Sequence, residues 1–216
     1  MKLYGYFRSS AAYRVRIALN LKGLNADLLS IHLVKNGGEQ HSAAYRQLNS
    51  SQLVPTWVED ENECSFILTQ SLSILEYLEE KFTDIPLLPL DLQQRALIRA
   101  FSQSIACDIH PLNNLRVLQF LKHQYEISDE QKMQWYRHWV DIGFSSLEKQ
   151  LQHSNGQFCF GELPTFADCC LIPQVYNALR FNIDLSAYPK IQSIYQHCNT
   201  LIAFQNAAPE QQADAV

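Results

Sequence analysis

KLYGYFRSSAAYRVRIALNLKGLNADLLSIHL, residues 2–33, is the stretch on which the fold turns. KLYGYF is short and aromatic, which suits a strand. From Ala11 to Lys22 the apolar residues Ala11, Val15, Ala18 and Leu19 recur at helical spacing. Ile17 and Leu21 widen that stripe, and Gly23 fits a C-terminal stop. ADLLSIHL reads as a second strand. A helix between the two strands makes them parallel neighbours. The unusual feature is the helix start, where Ser9 and Ser10 are preceded by Arg8 and followed by Arg14 and Arg16 inside the helix.

Outward from that unit, polar VKNGGEQ leads to a short helix near His41–Leu48. TWVED and CSFIL read as antiparallel strands joined by the acidic turn EDENE. SLSILEYLEEKF places Leu72, Leu75 and Leu78 on one face, with Ile74 and Tyr77 beside them, and its acids on the other. The order is β-α-β-α-β-β-α within residues 1–83, that of a thioredoxin-like α/β domain. TDIPLLPLD, with two prolines, reads as a linker. Beyond it the helical period dominates: Leu92 to about Leu121, Ser128–Leu151, Thr165–Phe181 and Tyr188–Phe204. HSNGQFCFGELP forms a loop between the second and third of these. Residues 91–216 therefore read as an all-helical domain, ending in a polar, frayed tail, APEQQADAV.

Composition narrows the function classes. The chain has 216 residues, 47% hydrophobic and 18% charged, with net charge −5. That is an ordinary globular balance with no basic field for nucleic acid. No run approaches the roughly 18 apolar residues of a membrane span, and the N-terminus lacks an apolar signal region, so a cytoplasmic protein is expected. Cys64, Cys107, Cys159, Cys169, Cys170 and Cys198 show no CxxC or Cys/His spacing. They read as buried free thiols, with no metal site.

A thioredoxin-like domain followed by a helical one resembles the cytosolic glutathione transferases. LVPTW puts Pro55 before the third strand, where that fold holds a cis-proline. TQS puts Gln70 and Ser71 at a helix start. PTFADCCLIP carries Thr165 with Asp168 three residues on, the spacing of a capping box. RSSAAYRVRIALNLKG resembles the signature of the zeta class, the maleylacetoacetate isomerases. CDIHPLNNLRVL resembles the matching block of its bacterial members and of maleylpyruvate isomerases. One position departs: the signature often reads Ser-Ser-Cys, and here the third residue is Ala11.

The resemblance implies glutathione as a cofactor that is used and returned. Ser9 would hold its sulfur as thiolate, supported by Ser10 and the N–H groups near Ala11, because a helix start favours an anion. Val54 would pair with its cysteinyl backbone, and Gln70 and Ser71 would meet its γ-glutamyl carboxylate. His41 and Gln52 would help hold the peptide, and His110 and Asn114 are further candidates for contact with glutathione. A diacid or keto-acid substrate calls for cations. Arg180 is the carboxylate clamp the resemblance implies, with Arg8 and Arg116 beside it as substrate-binding candidates. Ser9, Ser10 and Arg180 form the catalytic set. Arg14 and Arg16 are expected in structural pairing or at a dimer interface.

Lowering a thiol pKa from about 8.5 to about 7 raises its thiolate fraction roughly 15-fold at neutral pH. Lower nucleophilicity returns part of this, leaving about three- to four-fold. Positioning and charge stabilisation must supply the rest. The implied reaction is cis–trans isomerisation of maleylacetoacetate in tyrosine and phenylalanine breakdown, by a homodimer. Maleylpyruvate isomerase, a general conjugating transferase and a non-enzymatic module of the same fold are the alternatives.

Overall fold

The structure is a computed structural model that describes residues 1–61, 64–152 and 154–215. Asn62 and Glu63 of the acidic turn, His153 of the later loop and Val216 of the tail lie outside the described residues, as do the side chains of Glu61 and Cys64. The chain divides into two compact units. Residues 1–87 with 199–216 form the first, and residues 88–198 the second.

In the first unit, β1 (Lys2–Gly5) is followed by α1 (Ser10–Leu21) and β2 (Asp27–Ser30). Then come α2 (Ala43–Leu48), β3 (Thr56–Glu61), β4 (Cys64–Thr69) and α3 (Ser71–Lys81). The sheet order is β2-β1-β3-β4. β1 and β2 are parallel with Leu3 opposite Leu28, and β3 runs antiparallel to both β1 and β4. This is the expected order of elements. Gly5 lets α1 approach the sheet closely, because a Cβ there would lie 3.1 Å from Ala12 Cβ. The apolar face of α1 is fully buried at Ala12, Val15, Ile17 and Ala18.

The proline-rich segment after α3 is stapled to this unit. Lys22 Nζ lies 2.7 Å from the Glu79 carboxylate, both side chains being buried. It also donates to the carbonyls of Phe82 and Ile85, while Glu79 accepts the Leu87 N–H at 3.0 Å. A buried ion pair holds when its remaining donors and lone pairs are met, and these are. The segment to Leu87 thus belongs to the first unit instead of spacing it from the second.

The second unit contains α4 (Leu92–Gln103), α5 (Leu115–Gln124), α6 (Asp129–Leu151), α7 (Phe166–Arg180) and α8 (Pro189–Cys198). The helix expected from Leu92 to Leu121 is broken. A π turn spans Ser104–Ile109, closed by His110 N–H to the Ile105 carbonyl at 2.9 Å, and a 3₁₀ turn follows at Pro111–Asn113. Pro111 lacks the N–H that would continue the ladder, and here it sits at the first position of the new 3₁₀ turn, whereas Pro173 is carried inside α7 without ending it. α6 opens on a full Ser128/Gln131 capping box. α7 is the central helix, buried at every residue from Phe166 to Val175.

The helix expected over Tyr188–Phe204 is two helices, α8 and α9 (Ile202–Ala207). α8 belongs to the second unit and α9 to the first, so the chain changes partners between them although the apolar period runs on. The helical domain expected to reach residue 216 stops at Cys198 in this structure. The tail is not frayed either. Pro209 is buried, a 3₁₀ turn covers Pro209–Gln211, and Asp214 is hydrogen-bonded to the first unit. The cysteine expectation also needs one correction. Cys159, Cys169, Cys170 and Cys198 are buried free thiols, but Cys107 is exposed on the π turn.

Candidate active site

Two helix starts in the first unit carry the candidate residues. At α1, Ser9 is the N-cap, and its Oγ accepts the Ala12 N–H at 3.2 Å. The Ser9 hydroxyl hydrogen stays available to a ligand, because that bond uses only a lone pair. Ser10 is buried and Ala11 half-buried in the first turn. The Ala11 N–H has no acceptor among the described residues. Arg8 is exposed, its guanidinium 4.7 Å above the Phe7 ring.

At α3 the N-cap is Gln70, with φ 71° and ψ 117° and no side-chain capping bond. That backbone lies in the left-handed half of φ space, where non-glycine residues are uncommon. The N–H groups of Leu72 and Ser73 are therefore not closed by the side chain of the cap. Ser71 is buried, and its Oγ accepts from Arg14 Nη1 at 3.1 Å. Arginine can only donate, so this bond orients the Ser71 oxygen toward Arg14 and leaves its hydrogen for another acceptor. A buried guanidinium thus stands behind an open helix start, and both favour an anion there. Arg14 is expected from the sequence in structural pairing or at a dimer interface. Its place inside the apolar first helix was the sequence signal, and its burial in the structure is why it needs a polar partner.

Val54 precedes Pro55 through a cis peptide bond. The carbonyl of Leu53, just before it, accepts from Tyr45 Oη and Asn49 Nδ2, each at 2.7 Å. Tyr45 and Asn49 also reach Thr56 Oγ1, so both sides of Val54 are held by one buried network. His41 and Gln52 come together directly, His41 Nδ1 lying 2.7 Å from Gln52 Oε1. Gln40 Nε2 faces the other ring nitrogen at 3.1 Å, which is consistent with Nδ1–H donating to Gln52.

The remaining candidates lie in the second unit. Asn114 is the N-cap of α5, its Oδ1 accepting the Arg116 N–H at 3.1 Å, and Arg116 is exposed in the first turn of that helix. His110 is half-buried just past the π turn. Arg180 ends α7, exposed, with its guanidinium 4.8 Å above the Phe181 ring. The Phe181 ring also stacks on Tyr136 at 4.2 Å. Burial raises the Tyr136 phenol and the Arg180 charge acts against it, so the phenol stays a neutral donor. Neither Arg8 nor Arg180 forms an ion pair among the described residues. Tyr136 had no sequence signal beyond its place on the apolar face of a helix. Among the described residues no cluster of His, Cys, Asp or Glu is placed to hold a metal ion. No helix among them is long and apolar enough to cross a membrane.

The family model for the glutathione S-transferase N-terminal domain matches residues 3–86. A probable maleylacetoacetate isomerase of Vibrio cholerae is 49% identical over 99% of this chain and 97% of its own length. A maleylpyruvate isomerase of a Ralstonia species is 40% identical over the whole of both chains. Among solved structures, a maleylacetoacetate isomerase of Methylobacterium extorquens with bound malonate and glutathione superposes with a TM-score of 0.93. It is 38% identical and covers all of both chains. With near-complete coverage at these identities, the chain belongs to the zeta-class glutathione transferases, the family of the maleylacetoacetate isomerases.

Proposed function

We propose that the protein is a glutathione-dependent cis–trans isomerase of a maleyl keto acid, with maleylacetoacetate as the substrate. The observation that carries the reading is the pair of anion-ready helix starts in one unit, Ser9 at α1 and Ser71 backed by Arg14 at α3.

The donor set fits glutathione. A γ-glutamyl carboxylate finds the Ser71 hydroxyl hydrogen and the uncapped α3 start. A cysteinyl backbone finds Val54, flanked by Leu53 and Thr56, which Tyr45 and Asn49 hold. Gln52 and His41 supply further polar contact. Bound there, glutathione supplies a thiolate that adds reversibly to a cis double bond conjugated to carbonyls and leaves once the bond has turned. The Ser9 hydroxyl and the Ala11 N–H hold negative charge at the sulfur position, with Ser10 beside them. Arg180, with Arg8 and Arg116, takes the substrate carboxylates through charge-assisted hydrogen bonds. His110 and Asn114 serve as polar contacts of the same reaction. Cytoplasmic location and a homodimer complete the reading. Sedimentation giving a mass near the single-chain 24.9 kDa at micromolar concentration would reject the dimer.

Maleylpyruvate is the second reading, supported by the 40% identical relative of that name. Steady-state kinetics with both keto acids at saturating glutathione tests the choice. Turnover of maleylpyruvate at much the higher kcat/KM would overturn maleylacetoacetate. The same assay tests the roles. Ser9→Ala should lower kcat strongly and raise the pH at which bound glutathione ionises. Arg180→Ala should mainly raise KM for the keto acid, by about 10- to 100-fold for a charged pair of about 1.5–3 kcal/mol. Arg180→Lys should recover only part, lacking the planar fork. Unchanged KM and kcat in Arg180→Ala would move the acid to another cation, Arg8 first.

A further inference from the structure

The Phe7 N–H is held directly by the C-terminal segment, and the Phe7 carbonyl is held by Arg16 of α1, which is itself bonded to that segment. The Phe7 N–H donates to Asp214 Oδ2 at 3.1 Å, and Ser30 Oγ donates to the same oxygen at 2.8 Å. The Phe7 carbonyl accepts from Arg16 Nη2 at 3.0 Å, and Arg16 Nε donates to the Ala207 carbonyl at 3.0 Å. The segment has its own footing. Asn20 Nδ2 donates to the Ala203 carbonyl at 2.8 Å, and Gln212 Nε2 donates to the carbonyls of Asn206 and Ala208. Phe7 is buried and immediately precedes Arg8 and Ser9, whose N–H returns to the Tyr6 carbonyl at 2.9 Å.

We propose that residues 207–214 are a brace for the Arg8–Ser9 loop, and that Asp214 is a positioning residue acting through Phe7. The proposal rests on the reading above for what Ser9 does. A carboxylate near an anion site repels the anion, so its charge cannot be what the site gains from Asp214. What it contributes is acceptor geometry: one oxygen takes two hydrogens, from the loop and from the end of β2. The sign of the charge effect separates the two roles. A brace predicts that Asn, which keeps an acceptor oxygen and drops the charge, works as well as Asp. A purely electrostatic role predicts that Asn and Ala behave alike.

The test uses the full chain and glutathione itself. The pH midpoint of the bound thiol is read by thiolate absorbance, and the Phe7 amide by hydrogen exchange. Asp214→Ala should speed Phe7 amide exchange, raise the thiol midpoint and lower kcat by about tenfold, less than the ~10²-fold of a 1 Å misplacement. Asp214→Asn should restore all three. Should the Ala variant not fold, Asp214→Glu carries the same test, since it keeps the charge and displaces the oxygen by one methylene. Folded Asp214→Ala with wild-type exchange and midpoint overturns the brace, and so does Asn behaving like Ala. A wild-type protein that leaves the glutathione thiol unshifted would instead overturn the proposed function, while Phe7 exchange would still decide the brace.

Discussion

The starts of α7 and α3 are built in opposite ways. At α7, Asp168 is fully buried and accepts the N–H groups of Thr165 and Cys159 and the Thr165 hydroxyl, at 2.7–2.9 Å. Thr165 Oγ1 in turn caps the helix at Ala167 N–H. At α3 the cap residue offers no side-chain bond, and the one buried hydroxyl takes its hydrogen bond from an arginine. A helix start that serves only the fold closes its donors, because unpaired buried N–H groups are costly. A start that leaves them open, with a cation behind it, is suited to an external anion. α1 stands between the two, with Ser9 closing one donor and Ala11 keeping another.

The closed start should show the largest effect. Asp168→Ala strands two backbone N–H groups at about 1–3 kcal/mol each, so urea unfolding should show a loss of about 2–6 kcal/mol. The folded fraction should keep its affinity for glutathione. A loss of binding with stability intact would erase the contrast. Burial raises the Asp168 carboxyl even though its hydrogen bonds act to lower it. A raised acid binds its proton more tightly when folded. Relative to Asp168→Asn, stability should therefore fall as pH rises from the ordinary carboxylate range through the folded value, and level off above it.

The open start should respond in the reverse sense. Calorimetry of Ser71→Ala should show glutathione binding weakened by about 1–2 kcal/mol, at the low end of a hydrogen bond to a charged group because the Arg14 charge and the helix start remain. In the same titration Gln70→Asp places a negative charge at the open end. It should weaken glutathione by about 0.3–1 kcal/mol through repulsion while leaving thermal stability equal or slightly higher through the dipole. Unchanged affinity in both variants would remove α3 from the site.

Local chemistry made much of this legible. The strand and helix periods of residues 2–82 specify the order of elements. Ser9, Gln70 with Ser71, and Thr165 with Asp168 mark three helix starts by residue type alone. The break at Pro111 was only partly within reach: proline disfavours a helix interior, but α7 continues through Pro173, and the apolar period on either side of Pro111 concealed the break. Period alone likewise could not separate α8 from α9, because a stripe records that a face is buried and not against what.

What the sequence determined by itself, then, is the class of fold, the places where helices begin and the kind of charge those starts attract. These follow from spacing and side-chain type within a few residues. The tertiary structure alone decided the long-range pairings: Arg14 with Ser71, Arg16 with Phe7 and Ala207, Tyr136 against Phe181, and Asp214 against Phe7. Asp214 lies 207 positions from its partner, in a polar tail whose composition resembles disorder. A hydrogen bond over that separation leaves no periodic trace, because its geometry is set by packing and not by neighbours in the chain.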